Sequence, residues 1–248
     1  MARPLKRFGN LPAIKTPEPA LLEIDGTPVA LTFRRHTRAR RLIIRPARDG
    51  KSFIVTLPLR ASLSEALDFA RRSRQWIAQR LTATPKSVPF SAGAAIMLRG
   101  TQHIIVHRPQ VRGSVWCSGE DTSINVAGDA AHLARRLRDW LKLQAKQDLT
   151  AASSRYAQAM EVKFRRISLR DQSSRWGSCS AQGTLSYSWR LVLAPPFVLD
   201  YVAAHEVAHL KHMNHGRHYW RLVLTHCPHA QQAQHWLRRH GAELHRYG

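Results

Sequence analysis

With 248 residues, 44% of them hydrophobic, the chain can bury a core as one large domain or two small ones, so stability demands neither metal nor disulfides. Its three cysteines, Cys117, Cys179 and Cys227, are far apart and odd in number, which excludes a CxxC zinc module or a disulfide framework and fits a reducing, cytoplasmic setting. A net charge of +23, from 39 Lys and Arg against 16 Asp and Glu, can attract a nucleic acid through its phosphates, yet the charge lies in many short runs with no aromatic-interleaved stripe for base stacking.

Residues 1–20 read as a flexible basic arm in which Gly9, Pro12, Lys15 and Pro17 interrupt any signal-like apolar run. Nowhere do about 18 apolar residues follow one another, so no membrane span is expected. Residues 21–129 are expected to be β-rich. The runs PVALTFRR, RRLIIRP and KSFIVTLP, split by Gly26 and by the Asp49-Gly50 hairpin signal, predict a small antiparallel unit. Ser62 and Glu65 form a capping box ahead of one helix over about residues 62–83, with Leu63, Leu67, Ala70, Ile77 and Leu81 at helical spacing. TATPKSVPFSAGA reads as a linker, after which residues 95–127 return to short strands.

Residues 130–248 make the last region. A long amphipathic helix over about 130–160 turns Leu133, Leu137, Leu141, Leu149, Tyr156 and Met160 inward and leaves Arg135, Arg138, Lys142 and Lys146 in solvent. Two or three strands follow around the turn Ala181-Gln182-Gly183, and Pro195-Pro196 closes the last strand and opens a helix. That helix, FVLDYVAAHEVAHLKHM, is apolar on nearly every side and should be buried; two histidines and a glutamate inside it need an explanation.

His205-Glu206-Val207-Ala208-His209 is HExxH, whose i, i+4 spacing places both imidazoles on one helical face within reach of one zinc. Candidates for a third ligand are His212, His215, His218, Glu243 and Cys179. His212 continues the same face, where three ligands would be nearly collinear and unable to form corners of a tetrahedron. His215 is favoured, because Asn214 can terminate the helix in a left-handed turn that brings it back. Glu243 lies in a polar tail segment, and Cys179 reads as a buried thiol. The HExxHxxxxxH spacing equals that of metzincins, but His212 replaces their glycine and no methionine after Met213 could make their Met-turn. Three histidines would leave one zinc position open for water, with Glu206 as general base. Arg175, His218 and Tyr219 are the nearest candidates for an oxyanion donor. Trp176, Trp189 and Trp220 read as packing around the metal helix. The strand GTLSYSWRLVL is expected to offer an edge to an extended substrate.

RWGSCS at Arg175–Ser180, SWRLVLAPP at Ser188–Pro196 and DYVAAHEVAHLKHMNHGRHYW at Asp200–Trp220 together resemble the YgjP-like metallopeptidase domain family, related to SprT-like zinc proteases; RARRLIIRP and SEALDFARRSRQWI are weaker likenesses to it. The resemblance implies His205, His209 and His215 as metal ligands and Glu206 as general base. The expectation is an α+β chain: an N-terminal β-rich region with helices, then a zincin-like C-terminal domain whose HExxH helix packs on a small antiparallel sheet. It would hold one Zn2+ per chain and hydrolyse peptide or protein substrates in the cytoplasm. Two other classes compete, a nucleic-acid-associated basic protein, including a protease acting on DNA-bound proteins, and a structural zinc module with a closed coordination sphere.

Overall fold

A computed structural model describes residues 19–47, 50–83, 87–119, 121–172 and 174–248. Most of the basic arm, Asp49 of the hairpin signal and residues 84–86 of the linker lie outside the described residues. Two compact units divide the chain, Met1–Thr84 and Pro85–Gly248. The division falls in the expected linker and not at 129/130, because residues 95–127 share their core with the helix that follows them.

In the first unit, β1 (Ala20–Ile24), β2 (Thr27–Arg35), β3 (Ile43–Pro46) and β4 (Phe53–Leu57) form a sheet in the order β1-β2-β4-β3. Alternation buries Val29, Leu31 and Phe33 on β2 and Phe53, Val55 and Leu57 on β4, all against Ala66, Ala70 and Ile77 of the helices. The β1/β2 and β3/β4 pairs are antiparallel, but β2 and β4 run parallel, a departure from the expected antiparallel unit. The β3/β4 hairpin docks through its second strand, which period-two alternation cannot distinguish from docking through its first. The capping box forms: Ser62 Oγ accepts from the Glu65 amide at 3.1 Å and the Glu65 carboxylate accepts from the Ser62 amide at 2.6 Å. The expected single helix is two, α1 (Leu63–Arg72) and α2 (Arg74–Ala83). Between them the Ser73 hydroxyl donates to the Phe69 carbonyl at 2.9 Å, the local competition that makes serine poor in helix interiors.

The second unit begins with β5 (Ala95–Leu98), β6 (Thr101–Arg108), β7 (Val115–Ser118) and β8 (Ser123–Ala127), ordered β5-β6-β8-β7 with β6 and β8 parallel. The expected long helix is α3 (Leu133–Ala159), and Leu133, Leu137, Leu141, Leu149, Tyr156 and Met160 are all buried as their spacing requires. A three-stranded sheet follows, β9 (Arg166–Arg170), β10 (Gly177–Cys179) and β11 (Thr184–Ser188), in the order β10-β11-β9. The turn at Gly183 (φ 73°) makes β10 and β11 antiparallel, while β9 runs parallel to β11, so this sheet is mixed and not antiparallel. It also puts β11 in the middle, without the free edge the sequence suggested; β10 and β9 are the edges.

WRLVL, expected to continue the last strand, is a fully buried 3-10 turn, Trp189–Leu193, apolar at every position but Arg190 and so showing no period. Three helices complete the unit, α4 (Pro196–Ala208), α5 (Arg217–His226) and α6 (Ala230–Leu244). Arg190 ties down the segment after α6, donating to the carbonyls of Leu244 (3.1 Å) and Tyr247 (2.6 Å) and pairing with Asp171 at 2.7 Å. The unit's two ends then meet: the Val88 amide donates to the Arg246 carbonyl at 2.9 Å, and the Gly248 amide to the Val88 carbonyl at 3.1 Å.

Candidate metal centre

Helix α4 is buried along most of its length, with Val198, Val202, Ala203, Ala204, Val207 and Ala208 all in the core and His205 half-buried near its C-terminal end. The helix ends at Ala208, one turn sooner than the sequence suggests, and His209 is its C-cap. The ring of His209 explains the stop. Its Nδ1 donates to the carbonyl of His212 at 3.1 Å, which holds the following residues in a tight turn. Asn214 is not left-handed; it bends within the reversal, its carbonyl accepting from the Gly216 amide at 2.8 Å.

The reversal brings His215 back over α4. The ligand-capable atoms of His205, His209 and His215 all lie within 4.8 Å of one another, and Nε2 of His215 is 3.2 Å from Nε2 of His205. None of the other sequence candidates joins them. His212 contributes its backbone carbonyl while its ring lies against His218, 6.2 Å between centroids. Glu243 sits on α6 beside His240, 3.3 Å away. Cys179 is half-buried on β10, its thiol pushed up to about 11 by burial and by the charge of Glu206.

The outward nitrogens of the rings are held. Nδ1 of His205 is 3.3 Å from the Tyr201 hydroxyl, and Nδ1 of His209 is engaged by the His212 carbonyl, so Nε2 of His209 carries the free lone pair. Burial, and after it the two neighbouring rings, hold His205 down to about 3; burial also lowers His209. Both imidazoles are therefore neutral at neutral pH, as a metal ligand must be. Two neutral imidazoles with oriented rings and a third histidine nitrogen beside them fit a borderline divalent ion such as zinc.

Glu206 is 4% exposed, and its Oε2 has no hydrogen-bond partner. Burial pushes its carboxyl up to about 8 against the opposing charge of Arg175. The space it occupies exists because residue 177 is glycine: a Cβ there would lie 2.5 Å from Glu206 Oε1. Gly177 is in β10, and only the spatial approach of α4 reveals its role.

Tyr219, named as an oxyanion candidate, does something else. It is fully buried, its ring stacks on His209 at 4.7 Å, and its hydroxyl donates to the His205 carbonyl at 3.0 Å, bracing the end of α4 from beneath. Trp220 stacks on His215, 5.8 Å between centroids; Trp189 is buried in the core and Trp176 stacks on His245.

A family model described as the YgjP-like metallopeptidase domain matches residues 40–240. No curated protein matches the chain. Among solved structures, the crystal structure of the metallopeptidase zymogen of Pyrococcus abyssi abylysin aligns at 17% identity over 37% of this chain and 93% of that one, with a TM-score of 0.34. The match over residues 40–240 takes in β3, β4, α1 and α2 of the first unit as well as α4 and α5, and on that extent the chain belongs to the YgjP-like family of metallopeptidases.

Proposed function

We propose that this chain is a zinc-dependent peptidase of zincin-like design, in which His205, His209 and His215 hold one Zn2+ and Glu206 is the general base. The observation that carries the reading is the convergence of three histidine nitrogens within 4.8 Å beside a buried carboxylate whose Oε2 has no partner. Zinc at that point supplies Lewis acidity, making water acidic enough to attack at neutral pH and polarising a carbonyl.

The chain's own residues do the rest. Tyr201 and the His212 carbonyl fix the ring orientations, and Tyr219 fixes the backbone from which His205 projects. With a divalent ion beside it to favour its ionised form, Glu206 would take the proton from the attacking water on its carboxylate and return it to the departing amine. Burial of the group keeps competing water from its second oxygen. The edge strand β10, which carries Gly177 beside Glu206, offers main-chain hydrogen bonds to an extended peptide, a mode of binding that asks little of the peptide's sequence. The surplus positive charge rests on composition alone and favours no second reading.

The test is metal content of untagged protein, wild type against His209→Ala and His215→Ala, together with hydrolysis of an unstructured protein substrate by wild type and Glu206→Gln. The expected result is zinc bound in wild type at this centre and lost from it in both histidine variants. Glu206→Gln should retain it while losing hydrolysis by at least about 100-fold. Activity that survives Glu206→Gln would remove the mechanism.

A further inference from the structure

Among the described residues a second set of metal-capable side chains lies elsewhere in the same unit: Asp200 on α4, Cys227 at the end of α5 and His229 at the start of α6, their ligand atoms all within 4.8 Å of one another. Nε2 of His229 is 3.1 Å from Asp200 Oδ2 and 3.3 Å from Cys227 Sγ. A ring nitrogen has a single in-plane direction, so it can donate or accept one good hydrogen bond there and cannot serve both neighbours well. A cation between the three serves all of them. The edges of a tetrahedral site with bonds of about 2.0–2.3 Å are about 3.3–3.8 Å, and the two separations from His229 need only a few tenths of an ångström of opening. The rings of His205 and His215 approach one another in the same way, at 3.2 Å.

The surroundings already do what supporting groups do at a metal site. Arg155 pairs with Asp200 Oδ1, which turns the other carboxylate oxygen, Oδ2, towards His229. Tyr156 donates to Oδ2 at 2.5 Å from the α3 side. Cys227 is fully buried, and the His229 side chain, 31% exposed, lines the way in from solvent.

We propose that Asp200, Cys227 and His229 form a second cation site, for a thiolate-preferring divalent ion of the zinc class, separate from the histidine centre. Thiolate, imidazole and carboxylate together suit zinc better than the hard ions magnesium or calcium. On binding, the Cys227 thiol releases its proton to solvent and the sulfur–metal bond replaces the sulfur–hydrogen bond. Three protein donors leave a fourth position for water on the exposed side. The ion would clamp the α5–α6 junction to α4, the helix that carries His205 and Glu206, and so couple the metal content of one site to the rigidity of the other.

Cobalt(II) separates the two sites optically, because only a cysteine ligand gives intense thiolate-to-metal charge-transfer absorption in the near ultraviolet. Untagged, fully reduced protein would be titrated with cobalt while the spectrum and bound metal are followed. The expected result is two equivalents per chain, with the charge-transfer band belonging to one of them. The band should survive His209→Ala and Cys179→Ser and vanish in Cys227→Ser. His229→Ala, at a half-exposed position that tolerates truncation, should weaken cobalt binding at this site at least about 10-fold, with circular dichroism confirming the fold. A single equivalent without the band would overturn the proposal and leave the histidine centre intact. A band that persists in Cys227→Ser but is lost in Cys179→Ser would also overturn it, placing the thiolate beside Glu206 instead.

Discussion

Residue 177 sets how near β10 can come to α4. Gly177→Ala introduces a methyl group that would lie 2.5 Å from Glu206 Oε1, so the carboxylate must move, and misplacement of a reacting group by about 1 Å costs about 100-fold in rate. The expected outcome is unchanged metal content with turnover reduced by about 10- to 100-fold; equal turnover in the two proteins would show that the position of Glu206 is not critical. Tyr219→Phe removes one hydrogen bond to the His205 carbonyl and keeps the ring, so the unit should lose about 1 kcal/mol of stability in denaturant titration and bind metal more weakly. The convergence of His205, His209 and His215 was legible in the sequence because their spacing is local: four residues on one helix turn, then a short loop to His215. The roles of Gly177 and Tyr219 were not legible because they come from what packs against these residues, and no pattern within GSC or RHYW records that. The Asp200, Cys227 and His229 cluster was hidden for the same reason, since Asp200 lies on a different helix from the other two.

Elements were predicted best where a periodic pattern or a cap marked them. Helix α3 and the start of α1 are such cases: the first shows buried residues at helical spacing, the second a complete capping box. Replacing Ser62 by Ala should cost about 1 kcal/mol and lower the unfolding temperature of the first unit by about 4–8 °C, read by circular dichroism during heating. The break at Ser73, the early end of α4 and the 3-10 turn after β11 escaped because each depends on one hydrogen bond or on sequence that shows no period. The tail after α6 has its own pH dependence. Burial alone would raise Asp171, but the hydrogen bonds and charge of Arg190 outweigh it and hold the carboxyl below its ordinary 3.8. A group depressed in this way stabilises the fold above its unfolded value, and the contribution is lost as pH falls through the lower folded value. Hydrogen exchange in residues 244–248 should therefore be steady from neutral pH down to about 4, once corrected for intrinsic rates, and accelerate below it. Asp171→Asn should show the faster exchange at every pH.

Across the molecule, two separate cores serve two units: one built on Leu31, Phe33, Phe53 and Ile77, the other on Leu141, Tyr187, Leu191 and Val207. Heating should therefore give two calorimetric transitions, and added zinc should raise only the one that belongs to residues 85–248. One shared transition, moved as a whole by zinc, would mean that the units fold as one. The two four-stranded sheets repeat a single plan, edge hairpin, parallel centre, edge hairpin, although no sequence repeat announces it: β1-β2-β4-β3 and β5-β6-β8-β7. Strand order is set by long-range pairing, which leaves only alternation behind in the residues themselves, so α+β content could be foreseen and this likeness could not. The pairing of Val88 with the residues around Tyr247 also means that the second unit is closed like a ring, and where a ring is cut is a matter of covalent accident. Its two ends could be spliced together and new ones opened in the exposed segment at residues 109–114, and the rearranged polypeptide should still assemble both the histidine centre and the fold around it.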